Sequence, residues 1–562
     1  MATYYVKNGG NDGNSGLSDL LAWATPGKIG SVTLAGDDIV SFKCGSAWFG
    51  SLNCGQSGTA GHPITFNSYS TGNKPIINCG TQVPTWTLDS GSIWRATLSS
   101  SPMCDSVSIN GVSGVKMASK AACVAEYQWF WASSVLYLYA PGDPDTQYTT
   151  PGVGVPAYST AAYLEKNYLT FDGIQFEGGG YATMRNTGSG SHIVIKNCEV
   201  CNCDRGIELG TSAMTAYTDY DIHDNEIHDC ATHGVVPLYN GSGIRICRNH
   251  IYNIAATTIG GQWPGGIKCF GQGLDAIEIY ENHVHHCGLD AGASGYTCPG
   301  IWLDYVHPAT TASIVRHNCV HDVREHGIFV EISSDSHVWG NLIYDCAWGT
   351  ANGNAEFIPA GITVDCRETN LTEDNLIYNN TIYGGQVGIK CNSYSYQAGM
   401  SLSNNLFKNN IAVGYTVRAL YTENAGANQT GGTGNVYWYN CFGPEAANFI
   451  RWHYVNKSTY DAWEATSGVV LDGGTTHSIE ADPLLTNPTT HDFTLQAASP
   501  CINSGMNLGT TYKYGLMHDS VWPAAVVLGD QGAHGAGWEI GAYIYEAGGS
   551  AWIVGALAVG GS

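Results

Sequence analysis

Charge is scarce in this sequence, and positive charge is scarcest. Asp, Glu, Lys and Arg make up 12% of 562 residues, with 23 Lys and Arg against 47 Asp and Glu, a formal net charge of −24. A nucleic acid or an anionic membrane surface needs a basic face, so neither is an expected partner. The same acidity opposes a polyuronate substrate unless a local basic cleft or a bound cation intervenes. Long apolar runs are missing: none approaches the roughly 20 residues that span a bilayer. The opening "MATYYVKNGG" lacks the charged and apolar regions of a signal peptide. The expectation is a secreted, extracellular protein whose signal was removed, or one that leaves its cell inside a phage virion. Pairs of CxxC motifs are also missing, which removes a usual zinc signature, and no metal site is expected. Nineteen cysteines is an odd count, so at least one thiol lacks an intrachain partner.

What is abundant is turn chemistry. The chain holds 72 Gly, and its hydrophobic share of 43% argues against disorder. Between about 190 and 420 a unit of Asn-x-aliphatic recurs, as "NEIHDC" from Asn225, "NHIYNI" from Asn249, "NHVHHC" from Asn282, "NCVHDV" from Asn318, "NLIYDC" from Asn341 and "NTIYGG" from Asn380. The intervals of 24, 33, 36, 23 and 39 residues mark a solenoid stretched by insertions. Short alternating runs such as "SGIRIC", "DAIEIY" and "GIWLD" read as period-2 strands. Three such strands per turn, with no long helical pattern between them, predict an all-β parallel β-helix.

In that fold equivalent positions stack about 4.7–4.9 Å apart. The asparagines form one column at a sharp bend. Five residues on, Cys230, Ile254, Cys287, Val323 and Cys346 form another, in which cysteine serves as a small hydrophobe. Three residues on, His228, Tyr252, His285, His321, Tyr344 and Tyr383 form a ring ladder. "HVHHC" invites a metal assignment, but stacking on the surface is the reading preferred here.

Four regions follow. Residues 1–160 read as a β-rich segment with a short amphipathic helix, "SDLLAWATPGKIG", capping the solenoid. Residues 161–425 are its regular coils, and 426–546 its C-terminal end and cap, with one short helix near "STYDAWEA". Residues 547–562 are a Gly/Ala-rich tail, flexible or self-associating.

The strands that begin with Gly carry the candidate chemistry. They start at Gly206, Gly234, Gly266, Gly300 (GIWLD), Gly327 (GIFVE), Gly361 (GITVD) and Gly388. Their fifth residues read Gly210, Leu238, Phe270, Asp304, Glu331, Asp365 and Asn392, and their third residues include Lys268, Trp302, Phe329 and Lys390. Both positions face outward. Three stacked carboxylates raise one another's pKa, an arrangement suited to acid/base chemistry rather than to stability. A short loop before Glu331 between long neighbours makes a notch. Trp263, Tyr296, Trp348 and Phe357 are available as walls, with Arg324 and His326 at floor or rim, while Trp302 and Phe329 offer platforms for sugar faces. Adjacent rungs match the roughly 5–5.5 Å carboxyl spacing of a retaining glycosidase. Asp304 is then the nucleophile and Glu331 the general acid/base. The pair Glu331/Asp365 fits equally by geometry, and Asp304 with Asp365, two rungs apart, would suit inversion.

"GIWLD" and "GIFVE" resemble the site motifs of glycoside hydrolase family 120, β-xylosidases built on a right-handed β-helix. The resemblance implies a nucleophile at Asp304 and an acid/base at Glu331. It ends after Glu331, where "ISSDSH" replaces the family's Asn-His-Gly-Pro, so xylose specificity is not carried over. More broadly, "YYVKNGGNDGNSG", "SGTAGHPITF", "DFTLQAASPCINSG" and "WEIGAYIYE" resemble the pectate-lyase-like superfamily of right-handed β-helix proteins. The expected function is a retaining glycoside hydrolase acting on an oligo- or polysaccharide, with no cofactor. Two rivals stand. In a polysaccharide lyase, Lys268, Arg324 or Lys390 would act with the stacked acids holding Ca²⁺. In a glycan-binding adhesin or tail spike the groove would only bind.

Overall fold

The computed structural model describes the chain except residues 84, 100, 158, 214–215, 256–262, 289–297, 350–357, 368–370, 394–399, 425–433, 468–474, 476 and 547–562. The tail expected at 547–562, Tyr296 and Phe357 therefore lie outside the described residues.

Each recurring asparagine closes a bend. Asn225, Asn249, Asn282, Asn318, Asn341 and Asn380 are buried, and their ladder continues through Asn410 to Asn440. Asn282 Oδ1 accepts from both the backbone N and Nδ2 of Asn249, each at 3.0 Å, and Asn249 Nδ2 also donates to Ile222 O at 2.8 Å. The amide thereby satisfies backbone groups that a bend would otherwise strand away from water.

Between bends run three strands per coil. Asp275–Tyr280, His283–Cys287 and Ile301–Asp304 make one coil, and Ser313–Arg316, Cys319–Val323 and Ile328–Glu331 make the next. All three pairs are parallel and in register. Strands of the first kind build a 13-stranded sheet, and those of the other two kinds build a 21-stranded one. The result is the expected right-handed parallel β-helix. One apolar core runs inside it from Val6 to Trp463, and Cys230, Cys287 and Cys346 are buried in it beside Ile254 and Val323.

The ends differ from expectation. Coils begin at Thr3–Val6, which pairs with Ile39–Lys43, and do not wait for residue 161. Residues 81–155 leave the solenoid as an excursion of short, mostly antiparallel strands around their own core, including Trp86, Trp129, Leu136 and Leu138. Its strands alternate just as solenoid strands do, so periodicity alone does not separate the two. No α-helix forms in "SDLLAWATPGKIG". Leu21 N bonds to Ser18 O at 3.0 Å in a tight turn, and a 3₁₀ helix follows at Pro26–Ser31. Leu17, Leu20 and Leu21 stay exposed, while Trp23 and Ile29 cover the core.

At the other end the helix Tyr460–Ser467 buries Tyr460 and Trp463 over the last coils. The chain then folds back along the outside, where Leu485, Phe493 and Leu495 pack with Leu342, Tyr344 and Ile411. Among the described residues no helix is long and apolar enough to cross a membrane.

Candidate active site

The Gly that opens each site strand fixes the register of the acids. A Cβ on Gly327 would lie 2.6 Å from Ile343 Cγ2 and 2.7 Å from Gly361 O, and one on Gly300 would be 2.6 Å from Val320 Cγ1. Successive coils approach too closely at this bend for any side chain. Counting from those glycines, Phe270 pairs with Asp304, Asp304 with Glu331, Glu331 with Asp365, and Asp365 with Asn392. The predicted acid column exists, with rungs about 4.8 Å apart. Directly after two of its acids the backbone turns left-handed, with φ of 62° at Tyr305 and 49° at Ile332. A β-branched residue there is strained, a feature that clusters at functional sites.

Two cations hold the three carboxylates. Lys268 Nζ is 3.0 Å from Asp304 Oδ2. Arg367 Nε lies 2.8 Å from Glu331 Oε1 and 2.9 Å from Asp365 Oδ2, so one guanidinium nitrogen serves two acids. Burial pushes the Glu331 carboxyl up to about 8, and the charges of Asp304 and Asp365 add to this against the pull of Arg367. Burial also lowers the pKa of Lys268, against the pull of the neighbouring Asp304. The environment thus treats the two neighbouring acids differently: burial makes Glu331 keep its proton, and Asp304 is paired with Lys268.

Asp304 and Glu331 line a cavity of about 640 Å³, together with Lys268, Trp302, Trp263, Arg205, His233, Tyr239, Phe270, Tyr305 and Arg367. Its volume is that of an ordinary small-ligand site. Asp365 is absent from the lining and reaches the site only through Arg367. Of the pairs Asp304/Glu331 and Glu331/Asp365, the first has both carboxyl groups on this cavity.

The other predicted residues divide. Trp302 and Phe329 are not open platforms, being 2% and 0% exposed. Their rings stack at 5.4 Å, Lys268 Nζ covers Trp302 at 3.5 Å, and His326 and the Arg367 guanidinium lie against Phe329 at 4.4 and 5.8 Å. His326 is a buried support: its Nδ1 accepts from Ala360 N at 3.1 Å, and Thr363 Oγ1 lies 2.7 Å from it. Burial and the charges of Lys390 and Arg367 keep that ring neutral. Arg324 and Lys390 are buried away from the cavity, Lys390 bonding Ile358 O at 3.4 Å. Trp348 is exposed but does not line it, whereas Trp263 does, with its carbonyl accepting from Lys268 and from His233 Nε2. The long loops expected to wall the notch lie largely outside the described residues.

Sequence reasoning missed Arg205, His233, Tyr239, Tyr305 and Arg367. The left-handed bends put Tyr305 and Ile332 at the rim. His233 and Arg205 are paired positions of successive coils, one and two strands beyond Lys268, a relation that the register supplies. Arg367 carries no repeat signal, since it follows the strand Ala360–Cys366.

No family model matches the chain, and no curated protein matches it either. Solved structures do. XylC in complex with xylose superposes with a TM-score of 0.53 at 15% identity, covering 73% of this chain and 75% of that one. The chain shares the parallel β-helix fold. A lacto-N-biosidase of glycoside hydrolase family 136 from Eubacterium ramulus gives 0.46 at 14% identity over 78% of this chain and 67% of that one. Pectate lyase Pel9A gives 0.40 at 14% identity, over 97% and 96% of the two chains. At such identities the likeness concerns the fold.

Proposed function

We propose that the chain is a carbohydrate-active enzyme, a retaining glycoside hydrolase whose nucleophile is Asp304 and whose general acid/base is Glu331. One observation carries the reading: two carboxyl groups on adjacent rungs line one cavity, Asp304 paired with an ammonium group and Glu331 pushed by burial to keep its proton. Asp304, paired with Lys268, attacks the anomeric carbon while protonated Glu331 gives its proton to the leaving oxygen. The resulting glycosyl ester on Asp304 is then hydrolysed by a water that Glu331 deprotonates. Arg367, shared with Asp365, orients Glu331. Tyr239, Phe270, Trp263 and Tyr305 supply the apolar faces on which pyranose C–H groups pack, the part first expected of Trp302 and Phe329. Trp302 Nε1, buried and without a hydrogen-bond partner among the described residues, leaves hydrogen-bonding capacity at the cavity wall for a ligand. The xylose-bound neighbour supports a glycan ligand, and the departure at "ISSDSH" leaves the sugar open.

A lyase reading has one observation in its favour. Arg205, Lys268 and Arg367 make the local basic cleft that a uronate needs, and burial lowers the pKa of Lys268 as a base requires. Ammonium and guanidinium groups, however, already hold the carboxylates where the Ca²⁺ of a lyase would sit. Incubation of wild type, Asp304→Asn and Glu331→Gln with a panel of neutral and acidic glycans tests both readings. Hydrolysis by wild type, lost in both variants while binding persists, is the expected result. Unsaturated products from uronates alone would replace it with the lyase, and binding without release by wild type would leave an adhesin.

A further inference from the structure

On the neighbouring face of the solenoid, away from the acid column, the ring ladder is more than a stack. His228, Tyr252, His285, His321 and Tyr344 do lie nearly parallel, with centroids 4.6 to 5.4 Å apart. A second column stands beside it, because residues two apart on a strand share a face. There His250 pairs with His283 and His283 with Cys319. The two columns meet nitrogen to nitrogen: His250 Nε2 is 2.7 Å from His285 Nε2, and His283 Nε2 is 2.7 Å from His321 Nε2. Such a contact needs one proton between two lone pairs, and a metal ion can take the proton's place.

We infer that His250, His283 and His285 form a binding site for one divalent transition-metal ion of the zinc, cobalt or nickel type. One donor nitrogen from each lies within 4.8 Å of the others. Ligands at about 2.0–2.1 Å from a tetrahedral ion stand roughly 3.3 Å apart, so small ring rotations suffice. The rings are half-buried, and His250 and His285 already meet nitrogen to nitrogen, so ring nitrogens converge on one point. An outer partner is also in place. Asp322 Oδ2 sits 2.7 Å from His321 Nδ1, so that ring carries its proton there and presents Nε2 to His283 as an acceptor. The alternative set of His283, Cys319 and His321 includes a thiol that burial pushes up to about 12, so binding there would require a costly deprotonation. Soft nitrogen donors without a carboxylate select a transition metal over Ca²⁺ or Mg²⁺. Ions so held would clip two successive coils together between the 81–155 excursion, anchored by Ser113 to Asp229, and the C-terminal segment, where His491 stacks on Tyr344.

The full chain, stripped with chelator and titrated with Co²⁺, provides the test. One equivalent should bind with the visible absorption of nitrogen-ligated four-coordinate cobalt, and Zn²⁺ should displace it. His283→Gln and His285→Gln should each weaken binding about 100-fold, while Cys319→Ser and His228→Gln change it less than about threefold. Absence of binding, or binding indifferent to His283→Gln, overturns the proposal. So does a sulfur-to-cobalt band removed by Cys319→Ser. Should a variant fail to fold, carbethoxylation of wild type decides: Zn²⁺ must protect His250, His283 and His285, and unprotected rings overturn the site.

Discussion

Glu177 and Glu331, both buried in the same β-helix, are opposites. Glu177 is closed in by neutral donors. Ser108 Oγ lies 2.9 and 3.0 Å from its two oxygens, Asn78 Nδ2 donates at 2.8 Å and Asn202 Nδ2 at 3.1 Å. Ser108 comes from the 81–155 excursion, so this carboxyl fastens that excursion to the coils. Glu331 has a cation on one side, acids on the rungs above and below, and a cavity in front. Burial raises the pKa of both. What separates a structural acid from a reactive one is whether its surroundings complete its hydrogen bonding or leave it charged company and open space.

The largest effect expected from breaking this contrast is on turnover. Glu331→Gln should lower kcat on an activated substrate about 10³-fold, the share of a general acid/base, and Glu177→Gln should leave kcat within about threefold. Steady-state kinetics on the two purified variants measure this. Stability should run the other way. Glu177→Ala strands three buried donors, Ser108, Asn78 and Asn202, and should cost about 3 kcal/mol in urea unfolding. Glu331→Ala removes a carboxyl that burial disfavours and leaves Arg367 paired with Asp365, so it should cost less than about 1 kcal/mol.

A subtler contrast lies in pH. Folded Glu331 keeps its proton up to about 8, whereas the unfolded chain releases it near the ordinary 4.5. Between those values the native state binds more protons, so this contribution is full below about 4.5 and is lost as pH rises to about 8. Melting temperature against pH should fall less steeply over that window in Glu331→Gln than in wild type. Smallest of all should be Cys287→Val, a near-isosteric change at a position where its column already carries Val323; chemical unfolding should move by less than about 1.5 kcal/mol.

The acid column was legible in the sequence because a strand has period two and the Gly at each bend permits one register only. The asparagine ladder was legible for the same reason. The excursion at 81–155 was not, since antiparallel hairpins and solenoid strands share one alternation. Trp302 and Phe329 were placed on the correct face but misread as open, because Lys268 and Arg367, which cover them, arrive from neighbouring coils, and His326 folds onto Phe329 from the bend before its strand. Arg367 lies just past a strand end, where periodicity no longer says which way a side chain points. The His cluster was visible as "HVHHC", yet the nitrogen contacts depend on two columns meeting across coils of unequal length.

The proposal for the site is tested most directly by the anomeric configuration of the first sugar released, followed by proton NMR during turnover. Attack by Asp304 from the neighbouring rung, followed by water, predicts a product with the configuration of the substrate and no product from Glu331→Gln. An inverted product would place the chemistry on carboxyls farther apart, such as Asp304 and Asp365, and would contradict the adjacent pair.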